Sequence, residues 1–386
     1  MDEKIINVQL DFNISKKIHS SYNSFFFSPP KGIEYKKSEF KIINKKNYST
    51  LGKIYKKAVS ILPFLNKFHQ IINDALRKEN HVDLIYFVNH LGKTDKLFVA
   101  DYEHAYNFID GSDPYNEQNK KVALKRLSQK GLKYLLPINK EALKSFNLFF
   151  NGLKTNFKQE VLYPTNFIAK EYRKKVNREK IIVFIGSSNI NTDEAFYIKG
   201  GCETLKAFED LSEKYPKYSF MIISKIPKEI GIKPKKNLII KDIIPQKELW
   251  KILNKAQIFV QPNYNAPAMA YIEAMFFRLP IVTYNKWANN EYVDNLNGIL
   301  VTPKSVKNIN EYNVPFYSKE TFNQIKSNAK DNAEKIKKAI IRLIENPKLR
   351  EKMGKEGYKR VTKGKFSIKK RNEKLLKVYK EVLNNG

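Results

Sequence analysis

Ile181-Ile182-Val183-Phe184-Ile185-Gly186 opens the stretch that decides the fold, and Gly298-Ile299-Leu300-Val301 closes it. Between them Tyr197-Ile198-Lys199-Gly200-Gly201 leads into a helical pattern over Gly200–Tyr215, with Leu205, Phe208 and Leu211 on one face. Strand-like runs follow at Phe220–Ser224, Leu238–Lys241, Ile258–Gln261 and Pro280–Tyr284, separated by helical patterns at Gln246–Lys255 and Ala268–Phe277. Strands alternating with helices at this spacing predict a doubly wound parallel sheet. Such sheets bind ligands outside the carboxyl ends of their strands.

Working outward, the first half has the same plan in less regular form. Ile5–Leu10, Leu84–Val88, Leu97–Ala100, Tyr134–Leu136 and Glu160–Tyr163 read as strands, and Glu141–Phe150 as a helix. Ile54–Arg77 carries a helical stripe of Ile61, Leu65, Phe68, Ile72 and Leu76, with Pro63 as a kink. Three more helices are expected at Asp331–Glu345, Pro347–Tyr358 and Ser367–Leu383, the second opened by a proline whose missing N–H costs nothing there. The expected division is an N-terminal domain over 1–165, a linker over 166–180, and a second Rossmann-like domain over 181–362. A terminal helix over 363–386 is then placed to cross back to the first domain.

A chain of 386 residues with 42% hydrophobic and 13% aromatic content suits two globular domains. No apolar run approaches the roughly 20 residues of a membrane span. Met1-Asp2-Glu3-Lys4 begins without a secretory pattern, and the single Cys202 excludes an intrachain disulfide, so a reducing cytoplasm is expected. The net charge of +32 fits a lysine-rich solvated surface, an anionic membrane surface, an acidic glycan or nucleic acid. No helix-turn-helix, zinc-finger or RNA-binding signature supports the last of these.

Lys199-Gly200-Gly201 at a helix start reads as an anion site, because unpaired N–H groups and a cation converge where glycines let a ligand approach. A surface lysine at an ordinary loop–helix junction is the bland alternative. Glu273 is an acid in the apolar helix of Met269, Ile272 and Phe276 that Pro267 opens, and a charge there needs a partner. Two vicinal ribose hydroxyls would serve, as would a lysine or Arg278. In the first half, Asp101, Glu103 and His104 follow a strand, where a site is expected. The same residues also read as a cluster of turn-formers, or as a metal-binding acid pair. His19, His69, His81, His90 and His104 form no metal-ligand spacing. Tyr22–Lys57 interleaves aromatics with lysines, which suits an anionic bilayer or a solvated lysine face.

The order strand, Lys-Gly-Gly, Ile272-Glu273-Ala274-Met275, Leu279-Pro280-Ile281-Val282, and Asn290-Glu291-Tyr292-Val293 is similar to the C-terminal half of retaining GT-B-fold glycosyltransferases of the family 4 (group 1) type. That resemblance implies two Rossmann-like domains facing across a cleft, with the donor on the second. It implies Lys199, with Gly186, Ser187 and Gly200, at the donor diphosphate, Glu273 and Ala274 at the ribose, and Glu291 as a weaker donor contact. It places His104 and Asn265 beside the donor sugar, and Asp101 and Glu103 on the acceptor side. It implies front-face transfer assisted by the leaving phosphate, with no metal or cofactor and the nucleotide-sugar as a substrate. The acceptor would be a glycan or a lipid-linked glycan, at the inner face of a membrane.

The sequence departs from the family pattern at three places. Asn265 stands eight positions before Glu273, where the family has a glutamate. Ser187 replaces an arginine, and Phe12-Asn13-Ile14-Ser15 lacks a glycine pair. These keep open a catalytically decayed binding protein, beside a nucleic-acid glycosyltransferase and a sugar-nucleotide epimerase.

Overall fold

In the computed structural model the residues described are 5–12, 20–40, 77–78, 81–109, 117–173, 176–186, 193–265, 268–304, 306 and 319–384. The helical stripe expected before Arg77, together with Asn13–Ser15, Ser187, Pro267, Lys41, Lys45 and Lys46, lies outside them. The chain divides into two units, Met1–Pro164 with Ile368–Gly386, and Thr165–Ser367.

β-Branched and aromatic runs, which pack well on a pleated surface, build the sheet of unit 1. In chain order come β1 (Ile6–Phe12), α1 (Ser20–Phe27), β2 (Ile33–Lys37), β3 (Glu39–Phe40), β4 (Arg77–Lys78), β5 (Leu84–Val88) and β6 (Phe98–Tyr102). A 3₁₀ turn at Ala105–Phe108, α2 (Glu117–Leu127), β7 (Leu132–Pro137), α3 (Lys140–Phe149) and β8 (Lys158–Gln159) complete the first stretch. Six strands run parallel in the order β2-β1-β5-β6-β7-β8, and β3 pairs antiparallel with β4.

Alternation along the strands gives the sheet two apolar faces. Ile85, Phe87, Phe98, Ala100 and Leu135 pack with Ala123, Leu127, Ala142 and Phe146 of α2 and α3. Leu84, Tyr86, Val99 and Leu136 pack with Leu375, Val378, Tyr379 and Val382 of the terminal helix. The strand expected at Glu160–Tyr163 is instead the two-residue β8. Beyond it, Glu160 and Leu162 still donate backbone bonds to Leu135 and Pro137, so the chain stays extended without forming a full ladder.

Unit 2 repeats the plan. Its elements are β9 (Ile181–Ile185), α4 (Asp193–Ile198), α5 (Gly201–Lys214), β10 (Ser219–Ile223), β11 (Leu238–Lys241), α6 (Gln246–Lys255) and β12 (Ile258–Val260). Then follow α7 (Ala268–Phe276), β13 (Ile281–Tyr284), α8 (Asn289–Tyr292), β14 (Gly298–Val301), α9 (Lys319–Glu345) and α10 (Pro347–Thr362); α11 (Ile368–Asn384) returns to unit 1. The parallel order is β11-β10-β9-β12-β13-β14.

Ile182, Phe184, Phe220, Ile222, Ile258 and Val260 form one core with Leu205, Phe208 and Leu211 of α5 and with Ile325, Ile336, Ile340 and Leu343 of α9. α10 seats against α7 through small residues. A Cβ on Gly354 would fall 2.1 Å from Arg278 O, and one on Gly357 would fall 3.1 Å from Met275 Cγ. This close seat keeps α7, and Glu273 with it, in a fixed place.

Candidate functional site

In unit 2 the chain moves from β9 outward to β10 and β11, then returns to β12 on the other side of β9. The strand order reverses there, and that is where an open α/β sheet leaves a crevice at its carboxyl ends. Gln261, just past β12, donates its side-chain N–H to Ile185 O at the end of β9 and ties the two strand ends together. Gly186 follows at once, and a Cβ there would lie 2.1 Å from Ser224 Oγ, so only glycine fits.

The Lys199-Gly200-Gly201 turn lies against the segment after β12. Gly200 caps α5 with φ +74°, and a Cβ on it would fall 2.2 Å from Pro262 O. Both the left-handed backbone and the close approach require glycine. Tyr264 N–H donates to Ile198 O at 2.9 Å, and Lys199 Nζ donates to Asn265 Oδ1 at 3.3 Å. An ammonium, a side-chain amide and the N-terminus of a fourteen-residue helix therefore share one edge of the sheet. Their joint chemistry suits an anion with polar substituents.

Glu273, on the inner side of α7, is 5% exposed. Asn166 Nδ2, Gln246 Nε2 and Trp250 Nε1 all donate to its Oε1, at 2.7, 2.9 and 3.2 Å. Burial pushes its pKa up to about 7, against the lowering effect of the Trp250, Gln246 and Asn166 bonds. Its partners are three neutral donors and not a lysine or Arg278, whose guanidinium lies 3.9 Å from the centre of the Tyr358 ring. Among the described residues no hydrogen bond reaches Oε2, so acceptor capacity remains for a hydroxyl ligand. Ala274 is buried beside it, and its carbonyl accepts from Leu279 N–H at the helix end.

Glu291 is half-buried on α8, and its carbonyl accepts from Lys365 Nζ. The turn leading there is strained: Trp287 and Ala288 take consecutive positive φ values of 53° and 63°. Left-handed non-glycine residues cost about 1–3 kcal/mol each and concentrate at functional sites. No glycine marks this turn in the sequence, which is why it gave no signal.

Unit 1 places its candidates differently. Asp101, at the end of β6, is buried, and donors occupy both of its oxygens. Asn89 N–H reaches Oδ1 at 2.6 Å, while the Tyr22 and Tyr86 hydroxyls reach Oδ2 at 2.8 and 3.0 Å. Burial raises its pKa to about 7 against those bonds. Its visible role is to hold Asn89, at φ 56°, in the turn after β5. Glu103 is exposed. His104 precedes the 3₁₀ turn and stacks on Tyr106 at 5.0 Å between ring centres; burial lowers its pKa, Glu103 opposing.

A second cluster had no sequence signal. His90 Nε2 lies 3.0 Å from Asp11 Oδ1, its Nδ1 lies 2.9 Å from Val88 O, and Arg77 Nε lies 3.6 Å from Asp11 Oδ2. All three side chains are buried. They sit where unit 1's own strand order reverses, between β1 and β5.

Among the described residues, no group of three or more His, Cys, Asp or Glu side chains is placed to hold a metal ion. Among them, too, no helix is long and apolar enough to cross a membrane.

Residues 169–330 match the family model described as glycosyl transferases group 1. No curated protein sequence matches the chain. Sucrose-phosphate synthase from Thermosynechococcus elongatus superposes with TM-score 0.55 at 11% identity, covering 99% of this chain and 100% of that one. Anabaena HepE in complex with UDP gives 0.54 at 11% identity, covering 98% and 100%. S. aureus TarM, in complex with fondaparinux, alpha-GlcNAc-glycerol and UDP, gives 0.50 at 14% identity, covering 78% of this chain. The present chain spans 55% of the length of that TarM chain. The fold is that of GT-B glycosyltransferases. Within this GT-B chain the matched segment holds Lys199, Gly200, Asn265, Glu273 and Glu291, whereas Asp101, Glu103 and His104 lie outside it.

Proposed function

We propose that the protein is a glycosyltransferase that takes a sugar from a nucleoside-diphosphate sugar held on unit 2. The observation that carries this reading is the contact of Lys199 with Asn265 beside the glycine-capped start of α5, at the reversal point of the sheet. The diphosphate gains negative charge as its bond to the sugar breaks. An ammonium and a helix N-terminus already in place stabilise that charge without reorganising. Glu273, with Oε2 open, receives the ribose hydroxyls. The family match and the UDP carried by two of the structural neighbours support the donor class.

The finer reading is transfer with retention, without a metal. Asn265 is no carboxylate nucleophile, so attack occurs on the face the phosphate leaves. The acceptor class is a glycan or lipid-linked glycan, with the lysine-rich first unit at an anionic membrane surface.

A thermal-shift comparison of UDP, GDP and ADP with their sugar conjugates tests the core of this. Selective binding to the native state adds about 2.7 kcal/mol at a hundredfold excess over Kd. No shift with any of them sinks the proposal. The neutral Asn265 and the three donors already on Glu273 favour a second reading, a binding protein that has lost turnover. A nucleotide shift with no sugar transfer to any glycan acceptor supports that one.

A further inference from the structure

We infer that Glu203 is a positioning residue for the diphosphate site, acting through Tyr264 to hold the Lys199 turn against Asn265. The inference rests on the donor reading above. Glu203 lies in the first turn of α5, four residues after Lys199, and is 0% exposed. A fully buried carboxylate is costly, and an ordinary core position would carry an apolar side chain. Its surroundings explain its presence.

Tyr264 and Tyr284 both donate their hydroxyls to Glu203 Oε1, at 2.6 and 3.3 Å. Asn332 Nδ2 of α9 in turn donates to the Tyr264 hydroxyl at 3.3 Å. The Tyr264 ring packs 5.1 Å from Tyr284 and 5.2 Å from Trp287, centre to centre. One carboxylate oxygen therefore ties together three segments at the carboxyl edge of the sheet: the turn at 198–203, the segment at 261–265 and the end of β13 at Tyr284, whose ring also packs on Trp287.

Tyr264 is the link that matters for the site. Its hydroxyl is on Glu203, its backbone N–H is on Ile198, and the next residue is Asn265, which meets Lys199. Loss of the hydroxyl bond would leave the backbone bond and the 3.3 Å Lys199–Asn265 contact to hold this segment against the turn. The second oxygen of Glu203 is buried with no partner among the described residues. Its side-chain partners are therefore the two tyrosines. Burial raises the Glu203 pKa to about 7, against the lowering effect of Tyr264, its own backbone N–H and Tyr284.

The test uses the full chain with UDP, GDP and ADP as calorimetric probes, taking whichever the wild type binds. Variants are Glu203→Ala, Glu203→Gln and Tyr264→Phe, each with its melting temperature. A misplaced contact costs about tenfold or more. Glu203→Ala and Tyr264→Phe should raise Kd by at least that factor. Glu203→Gln, which keeps an acceptor in the same place, should stay within about threefold. Should the alanine variant fail to fold, Tyr264→Phe decides, since it removes one hydroxyl and keeps the ring. Binding by Tyr264→Phe within about twofold of wild type overturns the inference and leaves the donor reading intact. A tenfold change in Glu203→Gln, in either direction, assigns the effect to charge and overturns it too. Failure of the wild type to bind any of the three removes the donor reading, and this inference with it.

Discussion

Where strand order reverses, unit 1 presents Asp11, His90 and Arg77, and unit 2 presents Gly186, Lys199, Gly200 and Asn265. Both sheets have six parallel strands and reverse beside their first strand, with one strand outside β1 and two outside β9. Their chemistry differs. In unit 1 the charged groups are buried beside one another: His90 spans Val88 O and Asp11 Oδ1, and Arg77 forms an ion pair with Asp11 across 3.6 Å. In unit 2 two glycines keep side chains out of the space, and a half-buried lysine meets a neutral amide there. Topology supplies the crevice in both units. Which side chains fill it decides whether a ligand can enter.

That contrast can be broken experimentally, and the largest effect is expected in unit 1. Asp11→Ala leaves Arg77 and His90 buried without their acid, and removing one partner of a buried pair costs about 3–5 kcal/mol. Chemical denaturation should show that loss, while nucleotide affinity at unit 2 stays within about twofold. A matching loss of nucleotide affinity would mean that unit 1's cluster serves the ligand as well. Lys199→Ala should do the reverse. A charge-assisted contact to phosphate is worth about 1.5–3 kcal/mol, so turnover or nucleotide affinity falls roughly 10- to 150-fold with the melting temperature unchanged.

A smaller effect concerns pH. Glu203 and Glu273 have folded pKa values of about 7, above the ordinary 4.5, so the folded unit holds these protons more tightly than the unfolded chain. Their contribution is therefore largest below pH 4.5 and is lost as pH rises to about 7, at up to ~1.4 kcal/mol per pH unit per group. Carboxylates with lowered pKa values, such as Glu229 and Asp331, act below that window. Denaturation of wild type and Glu203→Gln between pH 4.5 and 7.5 checks this, and equal slopes in the two proteins would refute it. The smallest effect is at the surface. Lysines near an anionic bilayer contribute roughly 1 kcal/mol each, screened by salt. Replacing Lys36, Lys37, Lys45 and Lys46 by Ser should reduce flotation with anionic liposomes and leave nucleotide affinity alone.

Unit 2 was legible because its signals are local. Ile181–Ile185 and Leu238–Lys241 are apolar runs of strand length, and Gly200 marks a left-handed cap in the sequence itself. Glu273 announced a partner through its apolar neighbours, but not the identity of the three neutral donors, which come from positions 166, 246 and 250. Unit 1's Asp11, Arg77 and His90 are dispersed over 80 residues and meet only through strand pairing. Asp101 looked like a site residue because it ends a strand. The two tyrosines that claim it come from α1 and β5, and nothing nearby in sequence foretells them. Trp287 and Ala288 take positive φ with no glycine in the turn, where the Trp287 ring packs on Tyr264 and Tyr284, so no residue type betrays it.

The chain contains two tryptophans, and both are in the candidate site. Trp250 donates to the carboxylate assigned to the ribose, and Trp287 packs on the tyrosines behind the diphosphate turn. Intrinsic emission therefore samples the two ends of the proposed donor pocket with no label attached. Trp250→Phe leaves an indole only at the phosphate end, and Trp287→Phe leaves one only at the ribose end. The protein carries its own two-position optical readout for the proposed nucleotide site.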